Sequence, residues 1–425
     1  MMVALLIGLL LAFFFINVPV AFAIGLATLI VSFLSDIPLI RLPQTMFSSL
    51  NSFPLMAAPF FILAGKLMEH GGISQKLVNF ANSLVGHFRG GLAYVSIIAC
   101  MFFAAISGSS IATTVAIGSI MIPAMVKMGY DRNFGSALHA AAGSIGAIIP
   151  PSVPMVLFAV AGGVSVGKMF LAGIVPGIMI GLSFMLVAFI FCRKNDYETL
   201  EKRSLKEIWL SFKDAVWAIL LPVIILGGIY SGIFTPTEAS VIAVVYGFII
   251  GTVVYKQITF AVAKKILLST VIITSSLGII ISAASYFGMF LTLERIPHAV
   301  AESLASTSLS PLMTIMLINF FLLILGTFMD ATAALLIATP ILLPVGTSLG
   351  FDPIHFGMVM LVALGIGLLT PPLGVGLFVA AKVGNTRFES VVKPAIPFIL
   401  ILIVDVILLT LFPQLSSGVA GFFDK

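Results

Sequence analysis

Long apolar segments follow one another from end to end of the 425-residue chain, and only short polar turns separate them. A segment of about 18 or more apolar residues is long enough to cross a bilayer as a helix. Met2 to Ile16 would resemble a secretory signal on its own, but further apolar segments follow it instead of a soluble domain. The pattern therefore predicts an all-α polytopic membrane protein.

The composition supports this prediction and excludes several function classes. Of all residues, 60% are apolar and only 9% are charged, whereas soluble domains carry roughly 25% charged residues. Cys100 and Cys192 have no Cys/His cluster around them, so neither a disulfide framework nor a zinc site is expected. No P-loop, G-x-S-x-G or H-E-x-x-H pattern is present, so we expect no enzyme.

The basic residues predict the orientation of the chain in the membrane. The stretch Cys192 to Asp214 holds six Lys and Arg, and loops of this kind remain in the cytoplasm. Spans then run outward from Ala215 to Ile233, inward from Ala239 to Tyr255 and outward again from Ile266 to Met289. The net charge of +5 is explained by such loops, so we expect the lipid bilayer and no nucleic acid as partner.

Two short apolar arms surround a polar tip in the second half of the chain. Pro311 to Leu325 leads to Gly326-Thr327-Phe328-Met329-Asp330, and Ala331 to Pro344 leads back. This pattern indicates a hairpin that enters the membrane and returns, which is tolerated where it lines a cavity or is buried in protein. The alternative is two short spans. Ser306 to Ser310 and Thr347 to Asp352 lack Lys and Arg, which favours a hairpin opening to the outside.

Glycine and proline recur at one offset of 221 residues, which indicates an internal repeat. The offset pairs Gly129 with Gly350 and Pro150-Pro151 with Pro371-Pro372 (350 − 129 = 221; 371 − 150 = 221). Shared glycine and proline reflect shared backbone geometry. The first half therefore has its own hairpin, whose flanks carry His87, Arg89, Lys127 and Arg132 and so face the cytoplasm. Opposite charge flanks predict inverted repeats, which mark the binding site of a transporter.

These patterns together predict the organisation of the whole chain. About ten crossings and two re-entrant hairpins are expected, with both termini in the periplasm. The first repeat is 1–191, with a cytoplasmic-side hairpin at 92–128 and a broken helix at 132–163. A cytoplasmic linker spans 192–214. The second repeat is 215–425, with a periplasmic-side hairpin at 311–346 and a broken helix at 353–381.

Several segments resemble the large membrane subunit of the tripartite ATP-independent periplasmic (TRAP) transporters, over essentially the whole chain. They are Gly326 to Asp330, Leu349 to Pro353, Thr235 to Ala239 and Gly146 to Ser152. The resemblance, which extends to the sialic-acid branch, implies a bacterial inner-membrane importer with a small four-helix membrane subunit and a periplasmic solute-binding protein. It also implies sodium beside both hairpin tips and an elevator movement. Because the chain starts with the large-subunit pattern, we expect the small subunit to be a separate protein.

Small polar residues and prolines form two groups, one at each hairpin tip and its broken helix, and each group is predicted to bind a sodium ion. Unwound backbone carbonyls and nearby hydroxyls supply its oxygen ligands. The first predicted site contains Ser107, Gly108, Ser109, Gly146, Ile149 and Pro151. The second contains Gly326, Thr327, Asp330, Gly367, Thr370 and Pro372. The alternative is that these residues only allow helices to pack closely.

Asp330 is the most informative single residue, because a carboxylate inside a membrane is costly and therefore functional by default. We expect it to ligate sodium, to orient the tip or to carry a proton, in that order. Its counterpart at the offset is Ser109, so the two sites differ chemically. Asp405 in the last span has no such surroundings and is interpreted as a helix contact paired to a polar neighbour.

The solute is predicted to bind between the two tips. The candidate contacts are Ser110, Thr113, Ser152, Asp330 and Thr332. Broken-helix N-termini that point inward favour an anionic group, in agreement with a carboxylate solute. Lys66 and Glu238 lie near span ends and are interpreted as interfacial. A stand-alone carrier of the wider ion-transporter superfamily, which needs no binding protein, remains the alternative function; neither a polar pore nor a catalytic dyad is visible.

Overall fold

The computed structural model describes residues 2–193, 197, 199, 201–306 and 310–422. Within these residues every regular element is a helix. The first ten are α1 (Met2–Phe15), α2 (Val20–Leu34), α3 (Arg41–Leu50), α4 (Ala57–His70), α5 (Ile73–Val85), α6 (Gly91–Ser107), α7 (Ser110–Lys127), α8 (Arg132–Ser144), α9 (Val153–Gly162) and α10 (Val166–Arg193).

The second ten are α11 (Leu205–Tyr230), α12 (Pro236–Ile249), α13 (Phe260–Leu293), α14 (Ile296–Ser306), α15 (Pro311–Phe328), α16 (Ala331–Ser348), α17 (Pro353–Gly367), α18 (Val375–Val383), α19 (Phe388–Leu411) and α20 (Gln414–Phe422). Short 3₁₀ turns occupy Pro54–Met56 and Ile145–Ala147, and a π turn occupies Ile250–Val254. The prediction of an all-α membrane protein is confirmed.

Eight helices of the described residues are long and apolar enough to cross a membrane. The number rises to nine if α3 and Pro54–His70, which meet at an angle of 61°, are counted as one bent span. The sequence predicted about ten crossings. The two numbers count different helices: the eight include α7, α15 and α16, which were predicted as hairpin arms, and exclude α1, α2 and α17, which have only 14, 15 and 15 residues.

Helix α11 starts ten residues before the predicted span, inside the predicted linker 192–214. A capping box fixes this start: the backbone N–H of Ser204 donates to Glu207 Oε2 at 2.8 Å, and the Glu207 N–H donates to Ser204 Oγ at 3.3 Å. Thr235 and Glu238 form the same arrangement at the start of α12, with 2.8 Å from Thr235 N to Glu238 Oε2. Glu238 is therefore an exposed helix cap.

The helices of the first half recur in the second half at the predicted offset. Helices α7 and α8 start at 110 and 132, and α16 and α17 start at 331 and 353 (331 − 110 = 221; 353 − 132 = 221). Gly129 and Gly350 both have positive φ, 81° and 86°, in the turn before α8 and α17. Asp131 and Asp352 cap these helices by accepting backbone N–H donors. Their opposite orientation in a membrane stays a prediction.

One element breaks the correspondence between the halves. Shifted by 221, α3 and α4 fall on the single 34-residue helix α13. Helix α3, with polar residues on one face, was not predicted. The chain bends at Asn51–Phe53, where the Phe53 carbonyl accepts a hydrogen bond from Thr237 Oγ1 at 3.0 Å. The bend in the first half lets α4 approach the first hairpin.

Helices α8 and α17 form the centre of the molecule. All residues from Phe134 to Ser144 and from His355 to Gly367 are buried, so both helices are covered on every side. Helices α6 and α7 pack against α8, and α15 packs against α17. At one crossing a Cβ on Gly143 would meet the Thr114 side chain, so only glycine permits the approach. The two predicted hairpins thus lie directly on the two broken helices.

The topology prediction can be tested with cysteines at two equivalent, exposed positions, since 127 + 221 = 348. In Lys127→Cys the thiol should react with a membrane-impermeant maleimide only from the cytoplasm, because basic residues flank the first hairpin. In Ser348→Cys it should react only from the periplasm. The parent chain is the control, because its two cysteines are free and buried. Labelling of both variants from the same side would contradict inverted repeats.

Candidate functional site

The first hairpin tip is closed onto the break between α8 and α9. Gly108 ends α6 with φ +59°, and Ser109 caps α7 by accepting the N–H of Ala112 at 3.4 Å. The backbone N–H of Val153 donates to the Gly108 carbonyl at 3.3 Å. A Cβ on Gly108 would lie 2.5 Å from the Pro151 carbonyl oxygen. The tip and the break are therefore in backbone contact.

Hydroxyl and carbonyl oxygens collect in this contact. Ser107 Oγ lies 3.0 Å from Thr113 Oγ1, and Thr113 Oγ1 donates to the Ser109 carbonyl at 2.8 Å. A Cβ on Gly146 would lie 2.6 Å from that same Ser109 oxygen, so the break approaches the cluster closely. Ser152 Oγ donates to the Ala147 carbonyl at 2.6 Å. The structure thus brings Ser107, Gly108, Ser109, Gly146 and Pro151 of the first predicted ion site together, whereas the Ile149 side chain lies against Gly177 of α10.

The second tip carries Asp330 as the N-cap of α16. Its Oδ1 accepts the backbone N–H groups of Thr332 at 2.9 Å and Ala333 at 3.4 Å, and the residue is exposed. The hydroxyls of Thr327 and Thr370 donate to carbonyls one helical turn back, those of Ile324 and Ile366. Asp330 therefore caps α16, while its exposed side chain lines a cavity between the two tips.

The two tips contact their broken helices at different positions. In the second hairpin the contact lies one helical turn before the tip residue, whereas in the first hairpin it lies at the tip residue itself. Gly146 contacts Ser109, whereas the equivalent Gly367 contacts Gly326, four residues before Asp330. A Cβ on Gly367 would meet the Gly326 backbone, so α15 and α17 cross at paired glycines. Consequently Pro371 to Leu373 are exposed, while Pro150 to Ser152 are largely buried. The second predicted ion site is only partly assembled.

A cavity of about 390 Å³ lies between the two tips, within the size range of small-molecule sites. The first tip contributes Ser107 to Ser110, and the second contributes Asp330 to Thr332. Helices α4 and α13 supply the wall facing the tips. Of the predicted solute contacts, Ser110, Asp330 and Thr332 therefore share one cavity. Thr113 and Ser152 do not line it, because both side chains are fully buried where the first tip meets the break between α8 and α9.

Three helix N-termini face this cavity. The first residues of α7, of α16 and of α9 all line its wall: Ser110 to Ala112, Ala331 to Thr332 and Val153 to Pro154. The N-terminus of a helix carries a partial positive charge and unsatisfied N–H donors, which favour an anion. The arrangement can therefore attract an acidic group. Among the described residues, no three His, Cys, Asp or Glu side chains meet that could hold a metal ion.

Sequence reasoning missed a pair of charges in the cavity wall: Lys66 was interpreted only as interfacial, whereas its side chain lines the cavity. Lys66 Nζ lies 2.9 Å from Glu69 Oε2, and both side chains line the cavity with 22% and 16% of their surface exposed. A Cβ on Gly65 would lie 3.0 Å from the Ser107 carbonyl, so α4 packs directly on the first tip. Opposite charges three residues apart in an apolar helix were the available signal.

Asp405 lies away from the tips. Its Oδ1 accepts a hydrogen bond from Ser183 Oγ at 2.8 Å, which joins α19 to α10. The residue is only 1% exposed. The interpretation of Asp405 as a helix contact with a polar neighbour is confirmed.

The sequence is similar to proteins of one family. A family model described as "Tripartite ATP-independent periplasmic transporter, DctM component" matches residues 7–415. The isethionate TRAP transporter permease protein DctMQ of Oleidesulfovibrio alaskensis is 42% identical over 96% of this chain, which spans 65% of that relative's length. The C4-dicarboxylate TRAP transporter large permease protein DctM of Pseudomonas aeruginosa is 43% identical, over 89% of this chain and 88% of its own length.

A third relative is named for another solute. The sialic acid TRAP transporter large permease protein SiaM of Vibrio cholerae is 38% identical, over 95% of this chain and 94% of its own length. The names of the three relatives thus cover three solutes at similar identities, and the assignment to the sialic-acid branch stays a prediction. The crystal structure of the Alcanivorax borkumensis YdaH transporter is similar with a TM-score of 0.65, 16% identity and 89% coverage of each chain. At this identity it shows the fold alone.

We predict that Gly108→Ala destabilises the protein by about 1–3 kcal/mol, because alanine disfavours positive φ and its Cβ would overlap the Pro151 carbonyl. The measurement is the thermal unfolding midpoint of the purified chain in lipid nanodiscs. Gly227→Ala in α11 is the matched control, since nothing lies within 4 Å of its Cβ position. Equal midpoints for the two variants would contradict the closed tip.

Proposed function

This chain belongs to the DctM component family of the tripartite ATP-independent periplasmic transporters. From that premise we propose that it imports an organic acid, a carboxylate or a sulfonate, together with sodium. TRAP large permeases are multi-pass inner-membrane proteins that work with a small permease and a periplasmic binding protein, and they are not enzymes. In the proposed cycle, the binding protein delivers the solute to the cavity between the two hairpin tips. The tips and their broken helices then carry it across the membrane as an elevator.

The observation that carries the proposal is the cavity in which both tips meet. The tip of the first repeat contributes Ser110 to the cavity wall, and the equivalent tip of the second repeat contributes Thr332. Inverted-repeat transporters bind their solutes at the interface of the repeats, near such helix breaks. The three helix N-termini around the cavity favour an acidic group over a neutral one.

Sodium coupling is supported by the oxygen cluster at the first tip. The hydroxyls of Ser107 and Thr113 and the carbonyl of Ser109 lie within hydrogen-bond distance of one another, beside the broken helix. A hard monovalent cation binds such neutral oxygens, and its charge would offset that of an anionic solute. We place the second sodium beside Gly326, Asp330, Gly367 and Thr370, where the open second tip would have to close for a full set of ligands.

An elevator movement is supported by the contact between α4 and the first tip. At Gly65 the helix approaches Ser107 with backbone atoms only, so no side chain interlocks the two elements at this point. Small residues allow helices to approach closely, and we infer that a contact without interlocking side chains can slide. We therefore assign α4 and α13 to the static scaffold and both hairpins to the moving part.

The solute class follows from the names of the relatives and from the cavity. Isethionate, C4-dicarboxylates and sialic acid, for which the relatives are named, are all organic acids. A cavity of about 390 Å³ accommodates molecules of this size. Sialic acid is one member of the proposed class.

The proposed function is tested by uptake into proteoliposomes that contain this chain and its small permease. Radiolabelled succinate, isethionate and N-acetylneuraminate are offered with the cognate binding protein under an inward sodium gradient. We expect uptake of one of these acids that needs both the gradient and the binding protein. Uptake by the chain alone, without binding protein, would instead identify a stand-alone carrier, and absence of uptake of every acid would contradict the proposal.

A second prediction concerns the first sodium. Ser107→Ala removes the hydroxyl that lies 3.0 Å from Thr113 Oγ1, so the sodium concentration for half-maximal uptake should rise several-fold. Ser96→Ala on the same helix is the matched control, because its buried hydroxyl bonds to the Leu92 carbonyl at 2.9 Å, outside the tip. A sodium dependence that is the same in both variants would remove Ser107 from the site.

A third prediction concerns the charge of Asp330. Asp330→Asn keeps an N-cap oxygen, so the unfolding midpoint should be retained, while uptake should fall more than tenfold. Asp352→Asn is the matched control, since Asp352 caps α17 in the same way at an exposed position. Near-normal sodium-driven uptake by Asp330→Asn would contradict a role in ion binding. A wild-type requirement for a pH gradient that the variant loses would indicate a proton carrier instead.

A further inference from the structure

Lys66 is the one basic side chain among the described residues that line the cavity between the tips. The charged side chains of the wall are Lys66, Glu69 and Asp330, with a formal sum of one positive and two negative charges. A solute anion that enters while Lys66 remains paired with Glu69 meets only the helix N-termini and an unpaired Asp330. The ammonium group is thus the single full positive charge with which a solute can pair in this wall.

The position of the pair in the wall is fixed by the neighbouring backbone. Gly65, next to Lys66, lies against the Ser107 carbonyl of the first tip. The Lys66 side chain therefore stands beside the tip residues that line the cavity, and Glu69 follows about one helical turn later on the same face. Both side chains are mostly shielded from solvent, where charges are costly to keep without a partner.

The equivalent helix of the second repeat carries no such pair of charges. At the offset of 221 residues, Lys66 and Glu69 correspond to Phe287 and Phe290 of α13 (66 + 221 = 287; 69 + 221 = 290). These two phenylalanines are buried and apolar. The equivalent helix of the second repeat thus packs with aromatic side chains where α4 carries charges facing the cavity. The charged pair is therefore a feature of the first repeat that the second repeat does not share.

We propose that Lys66 is the group of the scaffold that recognises the acidic group of the solute, and that Glu69 holds Lys66 while the cavity is empty. An ammonium group has three donors on a flexible four-carbon chain, so it can turn from the Glu69 carboxylate to a solute carboxylate or sulfonate. Glu69 competes with the solute for this cation and so prevents anions from binding too tightly to be released. This inference rests on the proposed import of an organic acid.

The test compares Lys66→Gln, Lys66→Arg, Glu69→Gln and the double variant Lys66→Gln/Glu69→Gln in the reconstituted complex with small permease and binding protein. The probe is whichever of succinate, isethionate and N-acetylneuraminate shows the highest sodium-driven uptake by the wild type. The matched control is Lys76→Gln, which removes a lysine from an ion pair outside the cavity, 3.3 Å from Asp214. The quantities measured are the half-saturating solute and sodium concentrations and the unfolding midpoint.

Lys66→Gln should raise the half-saturating solute concentration at least tenfold, which corresponds to about 1.4 kcal/mol, and leave the sodium dependence within twofold of wild type. Lys66→Arg should recover most of the loss. Glu69→Gln should lower the half-saturating concentration, because the competitor of the solute is gone. The double variant, which removes both charges of the Lys66–Glu69 pair and leaves neither partner alone, should fold and should behave as Lys66→Gln.

A half-saturating concentration in the double variant equal to that of Lys76→Gln would overturn the role of Lys66. Equal losses of unfolding midpoint in Lys66→Gln and Glu69→Gln, with unchanged half-saturation, would overturn it as well and indicate a purely structural ion pair. Both results leave wild-type uptake intact, so they are distinct from failure of the proposed function. Absence of wild-type uptake of every probe would overturn the proposed function together with this inference.

Discussion

The structure depends on one constraint: the two breaks in its central helices must have their backbone polar groups covered. An unpaired N–H or C=O group in an apolar environment costs several kcal/mol, so irregular backbone at membrane depth is stable only against protein or a water-filled cavity. At the first break the hairpin tip provides this cover, through the bond from Val153 N–H to the Gly108 carbonyl and the contact of Gly108 with Pro151. The second break, from Leu368 to Gly374, is covered less completely.

The same constraint creates the site. Because each tip must reach a break, both tips are drawn to the centre of the molecule, and the space left between them becomes the cavity. Its wall contains helix N-termini because both hairpins and the first broken helix restart there, at Ser110, Ala331 and Val153. The groups that close the first tip, namely the helix N-termini, the Ser107 and Thr113 hydroxyls and the Ser109 carbonyl, are therefore also those proposed to bind sodium and an acidic solute. The difference of one helical turn between the two tips leaves room for the second tip to close.

Local features of the structure were predictable from the sequence. Gly129 and Gly350 adopt positive φ, and Ser109 and Asp330 cap the returning arms of the hairpins, because glycine, serine and aspartate impose these geometries on their own turns. The hairpin bounds differ from those predicted by at most two residues at either end. The positions of the breaks follow from Pro150-Pro151 and Pro371-Pro372 for the same reason.

Features that depend on packing between distant segments were not predictable. The burial of Thr113 and Ser152 behind the cavity wall results from how tightly the first tip closes, which no residue spacing encodes. Likewise, Lys66 lies in the cavity because the chain bends at Asn51–Phe53 and brings α4 against Ser107, and apolar periodicity does not reveal that bend. Paired glycines such as Gly326 and Gly367 indicate close approach, but their register relative to the tip is set only by the assembled fold.

The central claim is that both tips contact one bound solute, and protection of single cysteines by the solute tests it most directly. In Ser110→Cys and Thr332→Cys, one from each tip, the rate of modification by a small thiol reagent is measured with and without the transported acid at saturating sodium. The account predicts that the acid slows modification at both positions with the same half-maximal concentration. Protection at only one tip, or at neither, would contradict a shared solute site.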